Sequence, residues 1–195
     1  MKQLVFNSFP RSGNVYSGHT CQVFFDGMFA TVHIPEIFQV KEIANVTIFR
    51  KPSEAISSLQ YKQLETSNTT KINLNEIKNH IHGACKLYED YINYATLYND
   101  NIYIGKFEDL IADTVLHFEN VSKFFDLPLI PNYKNNYNKI RLYGKTWEDK
   151  NDGHIPRVKD EIRLGIEDAV EKIPIIQELD QKYKIFIEKY HTKVN

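Results

Sequence analysis

The chain has 195 residues, 42% hydrophobic and 25% charged, with 24 Lys and Arg against 25 Asp and Glu and a formal net charge of −1. That length and apolar content can bury one sizeable core, and no Pro/Gly/Ser-rich linker interrupts it, so a single domain over residues 1–195 is expected. The balanced charge excludes a protein built to coat nucleic acid, whose backbone demands a broad basic face, and no apolar run approaches the roughly 18 residues of a membrane span.

The first apolar run, Leu4-Val5-Phe6, is short and rich in strand formers, which predicts a strand over Gln3–Asn7. It feeds directly into Phe9-Pro10-Arg11-Ser12-Gly13-Asn14, where Pro10 and Gly13 supply a turn and the segment Val15–Phe25 can be helical. A helix starting at such a loop presents unpaired backbone N–H groups and about half a positive charge, and so attracts phosphate or sulfate. Arg11 adds a planar donor fork suited to the same oxyanions. The loop is not a Walker A sequence, because Gly13 has no glycine five residues upstream and no Lys follows it, so ordinary ATP and GTP hydrolases fit poorly.

A second strand is expected over Phe29–His33, ending at His33 before Ile34-Pro35, and a third over Val46–Phe49. The third runs into Arg50-Lys51-Pro52 and a helix-compatible segment with Ser53 or Glu54 in its first turn. In a parallel α/β sheet, ligands sit at the carboxyl ends of strands, so Arg11 and Arg50 are expected on one edge with a phosphate each. Ser58, eight residues after Arg50, stands just over two helical turns on, within reach of the same anion if the helix points that way.

Leu74–Tyr98 carries Ile77, Ile81, Ala84, Cys85, Tyr88 and Ile92 at helical spacing, a core-facing stripe. A fourth strand follows at Ile102–Gly105, and Glu108 and Asp109 after it read as carboxylates favoured at a helix start. Val115, Phe118, Ser122 and Phe125 form a second stripe, and Ile175, Leu179, Tyr183, Phe186 and Tyr190 a third. Between these two stripes, the polar and aromatic tract Asn132–Asn138 reads as a mobile loop. Cys21 and Cys85 lack ligand-spaced partners and read as buried free thiols, while His80 and His82, two apart, fall on different helix faces, so no metal is expected. The N-terminus lacks the apolar core of a signal peptide, and a cytoplasmic protein is expected.

Taken together, the two basic strand ends resemble the cofactor motifs of sulfotransferases that use 3′-phosphoadenosine 5′-phosphosulfate (PAPS) and release 3′-phosphoadenosine 5′-phosphate (PAP). Ser8-Phe9-Pro10-Arg11-Ser12-Gly13-Asn14 is similar to the family's 5′-phosphosulfate loop, with Val15 where a Thr is usual. Arg50, Pro52 and Ser58 satisfy its Arg-x-Pro-x5-Ser pattern for the 3′-phosphate. Thr31-Val32-His33-Ile34-Pro35 resembles the strand end that carries the family's general base, displaced by one residue, and Ile102–Leu110 resembles its Tyr-Glu-Asp-Leu junction, whose helix runs on to Phe124-Phe125-Asp126-Leu127-Pro128.

The resemblance implies a three-layer α/β fold of the P-loop NTPase type, with a small, mostly parallel sheet flanked by helices. It implies PAPS held by Pro10, Arg11, Ser12, Gly13, Asn14, Arg50 and Ser58, and catalysis by His33 and Arg11 on a hydroxyl of a sugar or other small acceptor. Beyond residue 128 it thins. Arg141-Leu142-Tyr143-Gly144-Lys145-Thr146-Trp147 is a partial match to the loop that closes over the cofactor, offering Arg141 and Lys145, with Arg157 as an alternative donor; Trp147 reads as an adenine-stacking residue or as a core or hinge anchor. Tyr16, Phe24, Phe29, Tyr61 and Tyr137 could line the acceptor site. Two other classes stay open: a divergent P-loop nucleotide or small-molecule kinase, which needs Mg²⁺ and a loop Lys, and a catalytically silent nucleotide-binding relative. Oligomeric state is not legible.

Overall fold

The computed structural model describes residues 3–27, 29–67, 74–139 and 161–192. Its centre is a four-stranded sheet, β1 (Leu4–Asn7), β2 (Phe29–Val32), β3 (Ala44–Phe49) and β4 (Ile102–Lys106), in the order β2-β1-β3-β4. All three pairings are parallel, with Asn7 opposite Val32 and Phe49 opposite Lys106 in register, so every strand ends on the same edge. The four strands are those expected from the apolar runs. Their continuous burial in β1 and β3 explains why those runs show no alternation: both faces of the sheet are covered.

One face packs under α1 (Asn14–Cys21) and α5 (Thr114–Phe125), the other under α2 (Pro52–Ser67), α3 (Leu74–Leu97), α7 (Glu161–Glu171) and α8 (Pro174–Tyr190). Alternate residues of the strands divide between them. Leu4, Phe6, Val46, Ile48 and Tyr103 join Phe24 and Phe118 on the first face; Phe49, Ile102 and Ile104 join Tyr88, Tyr91 and Phe186 on the second. Phe24 stacks on Phe118 with centroids 4.5 Å apart, and each such fully buried ring contributes roughly 1.5–3 kcal/mol. Of the expected core stripe of α3, Ile81, Ala84, Cys85 and Tyr88 are buried and Ile92 is half-buried, while the Ile77 side chain lies outside the described residues. Both thiols are buried and free, and burial raises Cys21 to about 12 and Cys85 to about 11.

Three local expectations are corrected. The segment beyond β4 is not one helix but two, α4 (Phe107–Ala112) and α5, because Asp113 leaves helical geometry and its carboxylate caps the Leu116 amide at 2.9 Å. The helix after the first loop stops at Cys21 rather than Phe25. The tract read as a mobile loop is helical over residues 133–139 (α6), because Tyr133 and Tyr137, one turn apart, both pack on the Phe24 ring at 5.6 and 5.7 Å. The outer edge of β4 is closed by the chain after α8: Thr192 donates its amide to the Ile104 carbonyl and accepts the Ile104 amide on Oγ1, both at 2.9 Å. Among the described residues, no helix is long and apolar enough to cross a membrane, and no three His, Cys, Asp or Glu side chains cluster as a metal site.

Candidate active site

The chain leaves β1 for β2 on one side, then returns to place β3 on the other side of β1, so the crevice between the ends of β1 and β3 is the topological switch point where open α/β sheets bind ligands. The loop from Ser8 to Gly13 fills one wall of this crevice. It is fixed by short polar side chains. The buried Ser8 Oγ accepts the Ile48 amide of β3 at 2.8 Å, and Asn14 Nδ2 donates to the Val32 carbonyl at the end of β2 at 2.7 Å. Arg11 and Gly13 both adopt left-handed backbone, with φ of 70° and 89°. At Gly13 this suits glycine, and a Cβ there would sit 3.0 Å from the Phe107 ring.

The loop offers an anion the amide dipoles at the start of α1. The Ser12 amide is spent on the Phe9 carbonyl at 3.2 Å, whereas those of Gly13 and Asn14 donate to no backbone carbonyl among the described residues. The buried Ser12 and Ser17 hydroxyls also lack partners there.

Arg11 reaches across the crevice, its Nε donating to Ser58 Oγ of α2 at 3.2 Å. This bond joins residues 47 apart in sequence and ties the first loop to the helix that follows Arg50, while the parallel pairing of β1 with β3 puts both strand ends on one edge. Arg50, 7% exposed, lies with its guanidinium carbon 4.7 Å from the centroid of Phe107, the ring that also confines Gly13. Its Nε and Nη2 both donate to Glu54 Oε2 at 3.0 Å, and Tyr88 donates to its carbonyl at 2.5 Å. Carboxylates gather around this arginine: burial, and then repulsion from Glu54 and Asp109, raise Glu108 above the usual range against the opposing pull of Arg50.

His33 follows β2 on the other side of the loop. Its Nδ1 lies 2.6 Å from the Ser8 carbonyl, which can only accept, so Nδ1 carries a proton and a lone pair, in the neutral form of the ring, falls on Nε2. The ring is exposed, and Nε2 has no hydrogen-bond partner among the described residues. The strand end beneath it is clamped by Asn7, fully buried, which donates to the Ile34 carbonyl at 2.6 Å and accepts the Ile34 amide at 3.0 Å and the Tyr91 hydroxyl at 2.9 Å.

The chain is similar to mouse sulfotransferase SULT7A1 complexed with PAP, with a TM-score of 0.63 over 96% of this chain and 85% of that one, at 12% sequence identity. Its fold is a sulfotransferase fold. No protein-family model matches the sequence, and no curated protein matches it.

Within this fold, Arg11 meets Ser58, Arg50 and Gly13 share the Phe107 ring, and His33 meets the carbonyl of Ser8 in the loop that carries Pro10, Ser12 and Asn14. Arg141, Lys145, Arg157 and Trp147 lie outside the described residues. Three aromatics expected at an acceptor site are otherwise engaged: Phe24 is fully buried, Tyr137 packs on its ring, and the Tyr16 hydroxyl is 3.1 Å from Thr114 Oγ1 and 3.2 Å from that of Tyr137. A cleft of about 730 Å³ opens elsewhere, lined by Lys51, Asp180, Tyr183 and Lys184 among others, but by neither Arg11, Arg50, Ser58 nor His33. Its Lys51 ammonium is neutralised by Glu171 at 2.8 Å and Asp180 at 3.5 Å. The sequence reading missed Asn7, Glu54 and Phe107. Asn7 carried a signal, a polar residue inside an apolar strand run, whereas the other two read as ordinary helix-start residues.

Proposed function

We propose that this chain, acting as one domain over residues 1–195, is a PAPS-dependent sulfotransferase that modifies a hydroxyl of a sugar or other small acceptor. The observation that carries this reading is the Arg11–Ser58 hydrogen bond, which ties the loop after β1 to the helix following the second basic strand end in a chain with a sulfotransferase fold. The residues present fit the cofactor: a loop pinned at Ser8 and Asn14, amides at a helix start, an unpartnered Ser12 hydroxyl and a glycine whose Cβ position is already occupied by Phe107.

When bound, PAPS supplies a sulfuryl group on a phosphate leaving group. Arg11 and the Gly13 and Asn14 amides would hold the 5′ end and stabilise charge growing on the leaving oxygen, a preorganised effect that is usually the largest in catalysis. Arg50 and Ser58 would hold the 3′-phosphate. Ser58 Oγ accepts from Arg11, so its own proton remains to be donated to that anion. His33 Nε2 would take the proton of the acceptor hydroxyl, while the Ser8 carbonyl fixes the tautomer and supports the imidazolium that forms. Calorimetry without added metal tests the reading when paired with a PAPS turnover assay. Tight PAP binding, weak ATP binding and turnover support it; Mg²⁺-dependent ATP binding, or PAP binding without turnover, overturns it.

A further inference from the structure

The contacts of Arg50 contain more than a cation at a strand end. A guanidinium offers two paired-donor edges, one of Nε with Nη2 and one of Nη1 with Nη2, and either can grip an oxyanion with two parallel bonds. Here Glu54 occupies the first edge through a single oxygen, Oε2, at 3.0 Å from both nitrogens. Nη1 has no hydrogen-bond partner among the described residues. Phe107 packs against the guanidinium, and the Tyr88 bond to the Arg50 carbonyl fixes the backbone from which the side chain departs. Glu54 itself sits in the first turn of α2, one turn after Arg50, and its carboxylate is about one-third exposed at 35%.

We infer that Glu54 is a positioning residue: by taking the Nε edge of Arg50 it leaves the Nη1/Nη2 edge to receive an oxyanion, and so sets selectivity for nucleotides bearing a 3′-phosphate. The inference rests on the sulfotransferase reading for the identity of the ligand. A guanidinium freed from Glu54 has more side-chain freedom to lose on binding, and it turns either edge, or neither, to the anion. Glu54 touches Arg50 rather than the ligand; its charge opposes an anion, so what it contributes to binding is the orientation of Arg50.

The test compares PAP with adenosine 5′-phosphate, which lacks the 3′ group, by calorimetry on the full chain. If the wild-type chain binds neither, the parent reading fails rather than this one. If it prefers PAP, Glu54→Ala is expected to weaken PAP about tenfold while adenosine 5′-phosphate changes less than about twofold, the size expected for losing one preorganised charge-assisted contact. Glu54→Gln keeps a carbonyl acceptor at the same place and is expected to retain most of the preference. Glu54→Leu preserves bulk in the helix while removing the acceptor, and replaces the alanine variant should that fail to fold; the same selective loss is expected. Unchanged preference in the Ala or Leu variant, tighter PAP binding in either, or parallel loss of both nucleotides overturns the inference.

Discussion

Asn7→Ala probes the clamp that fixes the strand end beneath His33. The amide makes three hydrogen bonds, two to the Ile34 backbone and one from Tyr91. The Ile34 amide and carbonyl lie in part-buried bonds of a residue that is 49% exposed, whereas Tyr91 is fully buried and its hydroxyl would be stranded. A stranded buried hydroxyl costs about 1–3 kcal/mol, and the small cavity adds about 1 kcal/mol, for a loss of roughly 2–4 kcal/mol. For a chain of this size that lowers Tm by about 5–15 °C. Asn7→Ala/Tyr91→Phe removes both ends of one bond, so thermal or urea melts should find the double variant about 1 kcal/mol or more better than the sum of the singles. Turnover should fall in Asn7→Ala with PAP affinity nearly intact, because His33 loses its footing and the Ser8–Gly13 loop does not. Strict additivity in the melts would refute the energetic reasoning, and equal loss of affinity and turnover would refute the functional part.

Replacing His33 by Ala should lower turnover on the order of 10²–10⁴-fold with little change in PAP affinity; parallel loss of both in kinetics and calorimetry would remove His33 from the role of base. Gly13→Ala meets φ of +89° and Phe107 at 3.0 Å, so melts should show destabilisation of at least about 1–2 kcal/mol with PAP binding lost; a neutral effect would mean the loop is not confined as described. His117, 4% exposed and lowered from 6.5 to about 3 by burial first and by His191 second, is neutral when folded but protonates when unfolded. Its linkage leaves stability intact above pH 6.5 and erodes it as pH falls from 6.5 towards 3, by about 2 kcal/mol at pH 5. His117→Phe should flatten that part of the pH–stability profile, and an unchanged slope would contradict the assignment.

The four strands and the two basic strand ends were legible because each signal is local: a short run of strand formers marks a strand, continuously buried in β1 and β3 though not in the edge strand β2, and the Arg-x-Pro-x5-Ser spacing places Ser58 on the helix that follows Arg50. The elements misread depend on distant partners. Nothing within Asn132–Asn138 announces a helix, since its stability comes from two tyrosines meeting a phenylalanine more than a hundred residues earlier in the chain. Phe24 looked available to an acceptor only because a sequence does not reveal that Phe118 stacks upon it. Within the site, Arg11 and Arg50 could be nominated by type and position, but their orientation could not. Glu54 and Phe107 become meaningful only once the fold sets them against one guanidinium.

A crystal structure with PAP bound tests the central claim most directly. The account predicts one nucleotide spanning the β1–β3 crevice, its 5′-phosphate on the Gly13 and Asn14 amides and Arg11, its 3′-phosphate on Arg50 and Ser58. A nucleotide seated in the Lys51–Lys184 cleft, or one touching Arg11 while leaving Arg50 with Glu54 alone, would contradict it.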